Sequence, residues 1–598
     1  MAYVIDREHC SCCHRCRVEC PVGAIRFKGS KYWIDPEKCV NCGHCATVCH
    51  NDVISNPDVP KPVAEKHDKI VKECDVLVIG GGAAGTAAAA KAACEGKKVI
   101  LLEKNKEVGG SAWYAHMFRS QWSKWHEAAG IPDPREKLVR QFVKKTGVDE
   151  DIIRNMLDAN VDFVNWLIED HDLQKDYDFG PFGPFGMGLC CKFEEPYNYK
   201  RIDTTIGPGG NGWFLSRKLL GIMEAHGGEV LYKTPAKHLI TDAEGKVTGA
   251  LAEDEGGQIE IHAGATIVTA GAFTHNKELM NKFQPLFYRD DDSEPVHVFT
   301  CATCTGDGIT MCEEIGADID YKNRRVNLFG PARHPFGTCG LTASRGMSNM
   351  NIMPDGTLYN APMGMGEVSA LAHTEKRYLW SVMDQVALES AMERAKGQKP
   401  DAVGVNMDRL YNNFQAEIDQ EVEWGSIKKA DTLEGLAKEL GVDPSVLLAS
   451  VAEHNAHIND PMPFMPGPFG DPDDEDEGPG GPGGMPPKPE GEDGPGAPGG
   501  MPGMEMPKAT PIAQGPFYAI FIKLFHENAV GGMSTDADLR VLKNGQPIPG
   551  LYAGGDNIRG IMVPGDVGVT YVENVLSALT VAFSSGYLAA EKALEYLK

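Results

Sequence analysis

The chain has 598 residues, of which 42% are hydrophobic and 24% are charged, and its formal net charge is −26. This length predicts two to four domains, and the acidic balance excludes nucleic acids and anionic membrane surfaces as expected partners. No apolar run reaches the length of a membrane span and no signal segment precedes Tyr3, so the 17 cysteines predict a soluble protein of the reducing cytoplasm.

Two copies of a C-x2-C-x2-C-x3-C run lie within the first 49 residues. This is the spacing of bacterial two-cluster ferredoxins, in which the fourth cysteine of each run binds the cluster of the other run. We therefore predict two 4Fe-4S clusters, which favour an anaerobic setting. The ligand sets are Cys10, Cys13, Cys16 and Cys49 for one cluster and Cys39, Cys42, Cys45 and Cys20 for the other.

Zinc and disulfides are the alternative interpretations of these cysteines. Zinc sites usually combine two C-x2-C pairs. A disulfide framework does not account for two repeats that each end in a fourth cysteine after three residues. Cys12, which belongs to neither set, is interpreted as a packed thiol.

A strand–glycine–helix–strand pattern follows a linker predicted at 59–72. The first strand is Asp75–Ile79, the alanine-rich helix ends near Ala93, and the second strand is Lys98–Leu102. The sequence G-G-G-A-A-G at 80–85 fits the G-x-G-x-x-G fingerprint of β-α-β units that bind dinucleotides. The order of these elements therefore predicts a dinucleotide site.

Four residues of this unit have distinct predicted tasks. Gly80 makes the tight turn, Gly82 lets the backbone approach a pyrophosphate, and Gly85 lets the helix pack on the strand. The N–H groups at the start of the helix then face the phosphates. Glu103, which follows the second strand, can accept both ribose hydroxyls of an adenosine.

The segment 460–508 has the opposite character. It is rich in Pro, Gly and Met, and ten acids oppose two lysines between 461 and 508. Such a composition cannot bury enough apolar surface to offset the entropy of ordering. We predict a disordered or extended insertion, with a polyproline docking arm as the alternative.

Five further stretches carry a family resemblance. They are Gly110-Ser111, A-T-I-V-T-A-G at 265–271 with Asn276, T-G-D-G at 305–308, the glycine pair 531–532, and G-L-Y-A-G-G-D at 550–556. Together they resemble the FAD-binding domain of the fumarate reductase and succinate dehydrogenase flavoproteins. The resemblance spans about residues 73–598 and implies FAD, not NAD, in the fingerprint site.

Fingerprint and resemblance together imply a set of residues that contact FAD. In the family, an acid at the position of Asp556 bonds the ribityl chain, and a loop like that at Gly110 meets the isoalloxazine. The full predicted set is Gly80, Gly82, Ala84, Gly85, Glu103, Gly110, Ser111, Ala236, Ala270, Gly271, Asp307, Gly555 and Asp556.

The implied fold class is α/β, with a Rossmann-like FAD-binding domain interrupted by an α+β capping domain and preceded by a small ferredoxin-like α+β iron–sulfur domain. The expected limits are 1–58 for the iron–sulfur domain, 73–317 and 516–598 for the FAD domain, and 318–515 for the cap. The substrate should lie between cap and flavin. No second dinucleotide fingerprint is evident, so electrons should arrive through the clusters from a reduced ferredoxin or another electron-donor protein.

The substrate side departs from the fumarate reductase pattern. By the resemblance, His334 matches the first substrate histidine and Arg345 a relay arginine, but the donor arginine expected shortly after Tyr359 is absent. Asp566 stands where an arginine should clamp a second carboxylate. A desolvated acid there would repel a substrate carboxylate, which argues against fumarate.

The C-terminal part is also similar to ketosteroid dehydrogenases and related enone-reducing flavoproteins, through G-P-F-Y-A at 515–519 and Thr535-Asp536. We therefore predict a flavin and iron–sulfur reductase of a carbon–carbon double bond conjugated to a carbonyl. The substrate is an enone or an enoate other than a dicarboxylate, and a homo-oligomer is compatible with the sequence. The alternatives are an acceptor-linked dehydrogenase of the same compounds and a non-catalytic electron-transfer subunit. The candidate catalytic residues are Arg345, Tyr359, His334 and Tyr571.

Overall fold

A computed structural model gives the structure of most of the chain. The described residues are 2–7, 9–10, 15–28, 31–60, 65–114, 118, 120–146, 148–181, 187–191, 211–283, 297–298, 300–320, 329–331, 350–359, 378–395, 418–419, 422–423, 425, 427–458, 510–526, 531–558 and 578–598. The predicted insertion at 460–508 lies outside them.

The cysteine-rich region consists of two similar halves. Its elements are β1 (Val4–Ile5), α1 (Arg15–Val18), β2 (Ile25–Lys28), β3 (Lys31–Ile34), α2 (His44–Val48) and β4 (Ile54–Ser55). Strand β1 pairs with β4 and β2 with β3, both antiparallel. Each cysteine run contains one of the two short helices, so the sequence repeat is also a structural repeat.

In the described residues, the rest of the chain forms two large sheets with their helices and two further two-stranded sheets. From 65 to 320 the elements are β5 (Ile70–Ile79), α3 (Ala83–Cys94), β6 (Val99–Glu103), α4 (Lys124–Ala128), α5 (Arg135–Thr146), α6 (Glu150–Asp170), α7 (Leu173–Asp176), β7 (Tyr177–Pro181), β8 (Met187–Cys191), α8 (Asn211–Ala225), β9 (Glu229–Tyr232), β10 (Ala236–Thr241), β11 (Val247–Glu253), β12 (Gln258–Val268), α9 (Lys277–Phe283), β13 (His297–Val298), α10 (Asp307–Glu314) and β14 (Ile319–Asp320). From 329 to 526 they are β15 (Phe329–Pro331), β16 (Met350–Ile352), β17 (Tyr378–Met383), α11 (Gln385–Ala395), β18 (Ile427–Ala430), α12 (Leu433–Leu440), α13 (Pro444–His457) and β19 (Phe517–His526). The remaining elements are β20 (Gly532–Met533), β21 (Arg540–Lys543), β22 (Gln546–Ala553) and α14 (Ala578–Tyr596). Strands β7 and β8 form one of the two-stranded sheets, and β14 and β20 form the other.

The larger sheet has a parallel centre. Within the described chain its strand order is β10-β11-β12-β5-β6-β9, and β22 joins it by pairing with β12. Strands β12, β5, β6 and β9 run parallel. The apolar runs of β5, β6 and β12 are buried, as expected for strands covered on both faces, whereas β9 is only partly buried. The predicted β-α-β unit is therefore confirmed, with β5 and β6 each within a few residues of its predicted limits.

Helices α3 and α14 approach each other unusually closely on one face of this sheet. Helix α3 is built largely of buried alanines, which leave little side-chain bulk between the two backbones. A Cβ at Gly586 of α14 would overlap with the carbonyl oxygen of Ala84. The C-terminal helix is thus fitted against the first turn of the dinucleotide-binding helix.

The second sheet contains strands β15 to β18 of the predicted cap. Strand β19 is its hub and pairs with β13, β15, β17 and β18, while β16 pairs with β17. Helices α12 and α13 bury Leu436 and Leu447 with Trp380 and Phe521 in a separate apolar core. Strands β13 and β19 lie in the two predicted FAD segments, 73–317 and 516–598, so the sheet combines residues of both predicted domains. The residue limits of the domains stay a prediction. None of the described helices combines the length and the apolarity that crossing a bilayer requires.

Candidate functional site

The glycines of the turn after β5 differ in how much space surrounds them. Gly80 has a φ of +105°, and a Cβ there would lie 2.5 Å from the Thr269 carbonyl oxygen. A Cβ at Gly85 would overlap with the carbonyl oxygen of Gly80. At Gly82, by contrast, an added Cβ would meet no atom within 4 Å. The first two glycines are required by the packing of the protein on itself, whereas Gly82 borders free volume at the start of α3.

Glu103 closes this turn from the end of β6. Its Oε2 accepts a hydrogen bond from Gly81 N at 2.9 Å and its Oε1 accepts one from Asn105 N at 2.7 Å. Burial raises the pKa of the carboxyl, while these two N–H donors act in the opposite direction. A carboxylate has about four acceptor positions, so Glu103 retains the capacity to accept ribose hydroxyls.

Replacing Glu103 with glutamine is expected to weaken FAD binding by roughly ten- to a hundredfold, because charge-assisted hydrogen bonds contribute about 1.5–3 kcal/mol. Titration of the apoprotein with FAD, followed by flavin fluorescence, measures the change. Glu95→Gln is the matched control, because Glu95 lies in the same β-α-β unit, directly after helix α3, but is exposed. Unchanged affinity in Glu103→Gln would remove Glu103 from the FAD site.

Lys104 and Asp307 lie next to Glu103. Lys104 Nζ is 2.8 Å from Asp307 Oδ2 and donates to Thr305 Oγ1 at 2.6 Å, and this hydroxyl donates to Asp307 Oδ1. The T-G-D-G stretch is therefore tied to the end of β6 across about two hundred residues of sequence. Thr234 N donates to the Glu103 carbonyl oxygen at 3.0 Å, so Ala236, buried at the start of β10, lies close by.

The loop at Gly110 packs against the glycine turn. Gly109 N donates to the Gly81 carbonyl oxygen at 2.8 Å, and both Gly109 and Gly110 have positive φ. Ser111 Oγ accepts a hydrogen bond from Cys301 N at 3.3 Å and lies 3.3 Å from Cys304 Sγ. The loop is thus held between the turn and the 301–304 segment.

The second predicted flavin segment reaches the same region from the C-terminal part. Gly555 N donates to Ser585 Oγ at 2.8 Å, and a Cβ at Gly555 would lie 3.1 Å from the Ala84 side chain. Asn557 Nδ2 donates at 2.7 Å to the carbonyl oxygen of Gly271, which follows Ala270 after β12. Asn557 Oδ1 is buried and has no partner among the described residues. Asp556, between these two contacts, is partly exposed.

These residues fit a bound FAD. The free volume at Gly82 and the unsatisfied Asn557 oxygen both lie where the cofactor is expected. All thirteen predicted FAD residues fall in the described chain, most of them around the ends of β5, β6, β12 and β22, with Ala236 at the start of β10 and Asp307 at the start of α10. Lys104 and Asn557 were missed in the sequence. Their partners are distant in the chain, so no local pattern signals them.

The cysteine thiols group across the two runs. Burial, together with the nearby thiols of Cys20, Cys39 and Cys42, raises the pKa of Cys45 to about 11. Burial also raises the pKa of Cys49, and the nearby Cys10 thiol acts in the same direction. The fourth cysteine of each run therefore lies beside the other run. Such grouped, buried thiols are destabilised as free thiolates, and bound iron would relieve this repulsion.

Backbone N–H groups point at the same sulfurs. Ala24 N donates to Cys20 Sγ at 3.3 Å, and backbone hydrogen bonds from Asn51 and Val53 to Cys49 lower the pKa of that thiol. Donors of this kind tune iron–sulfur clusters. Cys13 lies outside the described residues. Among those described, no three His, Cys, Asp or Glu side chains converge closely enough to hold a single metal ion.

His50 and Asn51 connect the cysteine-rich region to the FAD-binding part. We call this contact the junction, formed by His50, Asn51, Glu107, Trp113 and Cys301. His50 is 0% exposed and its ring stacks on Trp113 with centroids 4.7 Å apart. Its Nδ1 is 3.0 Å from Glu107 Oε1 and its Nε2 is 3.7 Å from Cys301 Sγ. Asn51 Oδ1 accepts from Cys301 Sγ at 3.3 Å and from Ala302 N at 3.2 Å.

The junction is strongly polar for a buried contact. Burial lowers the pKa of His50, but hydrogen bonds to Cys301 and Glu107 outweigh this and raise the pKa to about 9. Burial likewise raises the pKa of the Cys301 thiol, but His50 and Thr303 outweigh it and hold the pKa below its usual value. The cost of burying His50 and Cys301 is thus offset by the hydrogen bonds that they make with each other, with Glu107 and with Thr303.

Only one of the four predicted catalytic residues, Tyr359, is among the described residues. His334, Arg345 and Tyr571 lie outside the described residues, as does Asp566. Tyr359 is partly buried in the turn after β16, where its N–H donates to the Asn351 carbonyl oxygen at 2.8 Å. Their catalytic roles stay predictions.

Residues 75–566 match the family described as FAD binding domain. The chain belongs to this family. Residues 32–55, which contain the second cysteine run, match the 4Fe-4S binding domain. FAD and an iron–sulfur centre, both predicted from the sequence, are thereby confirmed.

The relatives of the chain include named reductases. It is 24% identical over 517 residues to a urocanate reductase from Eggerthella lenta, covering 83% of this chain and 72% of the relative. It is 24% identical over 557 residues to a vinyl phenol reductase from Lactiplantibacillus plantarum, covering 89% and 97%.

Solved structures confirm the predicted fold class. A flavocytochrome c3 fumarate reductase superposes with a TM-score of 0.60 at 20% identity, covering 88% of this chain and 79% of the other. A 3-ketosteroid delta1-dehydrogenase from Sterolibacterium denitrificans also gives 0.60 at 19% identity, covering 88% and 100%. Both family resemblances noted in the sequence are thus present in the fold.

Proposed function

We propose that the protein is a flavin- and iron–sulfur-dependent oxidoreductase that reduces a carbon–carbon double bond conjugated to a carbonyl. The observation that carries this proposal is the junction, where the cysteine-rich region inserts His50 and Asn51 beside the loop at Gly110 and Ser111. This contact would allow electrons to pass from the proposed clusters to the flavin, as a reductase requires. The relatives named as reductases support the same reaction class.

The chain's own residues hold and orient FAD in this proposal. The first turn of α3 and the free volume at Gly82 receive the pyrophosphate, and Glu103 receives the ribose. Lys104 fixes the T-G-D-G stretch, and Asn557 presents its unsatisfied oxygen to the cofactor. When bound, FAD supplies the conversion between single electrons and a hydride.

Two 4Fe-4S clusters are proposed for the cysteine-rich region, held by the crossed ligand sets. The grouping of Cys20 with Cys45, and of Cys10 with Cys49, supports the crossing. We further propose a reduced ferredoxin or another protein as electron donor, because the sequence shows no second dinucleotide fingerprint. The 17 cysteines support a cytoplasmic setting, and the proposed clusters support an anaerobic one.

The proposed substrate is an enone or an enoate with no second carboxylate. Asp566, at the position where the resemblance expects an arginine, supports the exclusion of a dicarboxylate, since an acid facing a substrate carboxylate would repel it. Arg345, Tyr359, His334 and Tyr571 remain the candidates for polarising the carbonyl and delivering the proton.

An anaerobic half-reaction tests this function. The protein is reduced with dithionite, excess reductant is removed, and an enone, a monocarboxylic enoate and fumarate are added separately while flavin absorbance is followed. We expect rapid reoxidation by the enone or the enoate and background reoxidation by fumarate. FAD-free protein, in which only the clusters carry electrons, is the control.

Each other outcome contradicts a part of the proposal. Rapid reoxidation by fumarate would refute the argument from Asp566. Failure of every alkene, with fast reoxidation by a one-electron acceptor protein, would indicate an electron-transfer subunit. Reduction of the oxidised flavin by a saturated ketone would indicate the reverse reaction, that of an acceptor-linked dehydrogenase.

A further inference from the structure

One cluster ligand is followed directly by the residues that enter the FAD-binding part. Cys49 belongs to the proposed cluster of Cys10, and His50 and Asn51 come next in the chain. These residues are 0% and 9% exposed, whereas His44 and Thr47 of the preceding helix α2 are exposed. A bonded path therefore leads from the cluster cysteine into the interior of the junction.

On the opposite side, the contacts of His50 converge on one short turn. Cys301 touches His50 through its sulfur and Ser111 through its backbone N–H. Trp113, which stacks on the His50 ring with planes 15° apart, lies in the same 3-10 turn, Gly110–Tyr114. Both branches thus end in the loop that is expected to meet the isoalloxazine.

We propose that His50 is the residue that couples the iron–sulfur cluster bound by Cys49 to the flavin. The coupling runs through Cys301, which contacts the Gly110–Tyr114 turn at Ser111, and through Trp113, which belongs to that turn. This inference rests on the proposed function. Each transfer moves one electron from a reduced cluster to the flavin, so the cluster is oxidised by one electron and the flavin is reduced by one. No bond is formed or broken, and Cys301 keeps its oxidation state.

The route through His50 has few gaps. From Cys49 to Ser111 only two steps cross space, from His50 to Cys301 and from Cys301 to Ser111, and the other steps follow bonds. Electrons tunnel more readily along bonds and through packed atoms than across open space. The stacked ring of Trp113 supplies a parallel step of the same kind.

A nearby contact provides a matched control. Lys106 Nζ donates to the carbonyl oxygens of Ala46 and Thr47 at 3.3 and 3.1 Å, so it joins the same two parts of the protein. Its hydrogen bonds and ion pair reach Ala46, Thr47 and Asp52, and not His50 or Cys301. Lys106→Met therefore removes a docking contact and leaves the proposed route in place.

The test compares His50→Gln, Lys106→Met and the unaltered protein, each holding its clusters and FAD. After rapid mixing with dithionite, flavin bleaching that follows cluster bleaching at a rate independent of dithionite concentration reports internal transfer. We expect this phase to slow about tenfold in His50→Gln, where loss of the ring misplaces the contact atoms, and to be nearly unchanged in Lys106→Met. No substrate is present, so failure of the substrate proposal leaves this result untouched.

Alkylation of Cys301, located by mass spectrometry, separates coupling from docking. We expect the buried thiol to stay protected in both variants, since Asn51 and Arg15 still hold the parts together. An unchanged internal phase in His50→Gln would overturn the inference. Equal slowing in Lys106→Met, or rapid labelling of Cys301 in His50→Gln, would also overturn it by reducing His50 to a docking residue. If His50→Gln loses iron, Cys301→Ser and Trp113→Leu test the two branches without altering a neighbour of a cluster ligand.

Discussion

Replacing Gly82 with alanine is expected to leave the apoprotein folded and to weaken FAD binding by roughly a hundredfold or more, because the new methyl group would occupy the volume proposed for the pyrophosphate. Gly82 has a φ of −74°, which alanine adopts without strain. Thermal unfolding of the apoprotein and titration with FAD measure the two effects separately.

Gly85→Ala should behave in the opposite way. Its Cβ would overlap with the Gly80 carbonyl oxygen and lie 2.7 Å from Thr269 Oγ1, so α3 must move away from the turn. We expect a loss of about 4 kcal/mol or more in the free energy of unfolding, the range of severe overpacking. Gly221→Ala, at a glycine of α8 with open space around its Cβ, is the control for both. Normal FAD affinity in Gly82→Ala would show that the pyrophosphate lies elsewhere.

Replacing Cys20 with alanine is expected to remove the cluster of the other run, which also uses Cys39, Cys42 and Cys45. The grouping of these four thiols is the reason, since Cys20 lies beside Cys45 although it is in the first run of the sequence. Iron analysis should give about half the iron of the unaltered protein, and electron paramagnetic resonance of the reduced protein should lose one cluster signal.

Cys49→Ala should instead remove the cluster of the first run, because Cys49 lies beside Cys10. It should also disturb the junction, since His50 follows directly. Cys74→Ala is the control, because this thiol belongs to neither cysteine run and lies in β5, near the His262 carbonyl oxygen. Retention of full iron by Cys20→Ala would contradict the crossed ligand sets. Loss, in each variant, of the cluster bound by its own cysteine run would show that each run binds its cluster with its own four cysteines.

Local patterns were sufficient for the two cofactor motifs. Strand β5, helix α3 and strand β6 follow from apolar runs and glycines that lie within 35 residues of each other in the sequence. The cysteine spacing has the same property, because a short repeat encodes both the ligands and the helices between them. Physical constraints on such motifs act between near neighbours, and a sequence displays them directly.

Contacts between distant segments could not be predicted in the same way. Cys301 and Cys304 form a C-x2-C pair with no partner pair near it in the sequence, so their spacing alone does not indicate what they contact. In the structure their partners are His50, Asn51 and Ser111, about two hundred residues or more away along the chain. The pairing of β19 with the cap sheet is another case, since nothing in its apolar sequence specifies which sheet it joins.

Strand β22 and helix α14 complete the FAD-binding part, since β22 pairs with β12 and Gly586 fits against the Ala84 carbonyl. During synthesis both elements leave the ribosome after residues 65–320 and after the cysteine-rich region. We therefore expect FAD to bind stably only once α14 has docked, whereas the ligands of the proposed clusters have already been synthesised by then.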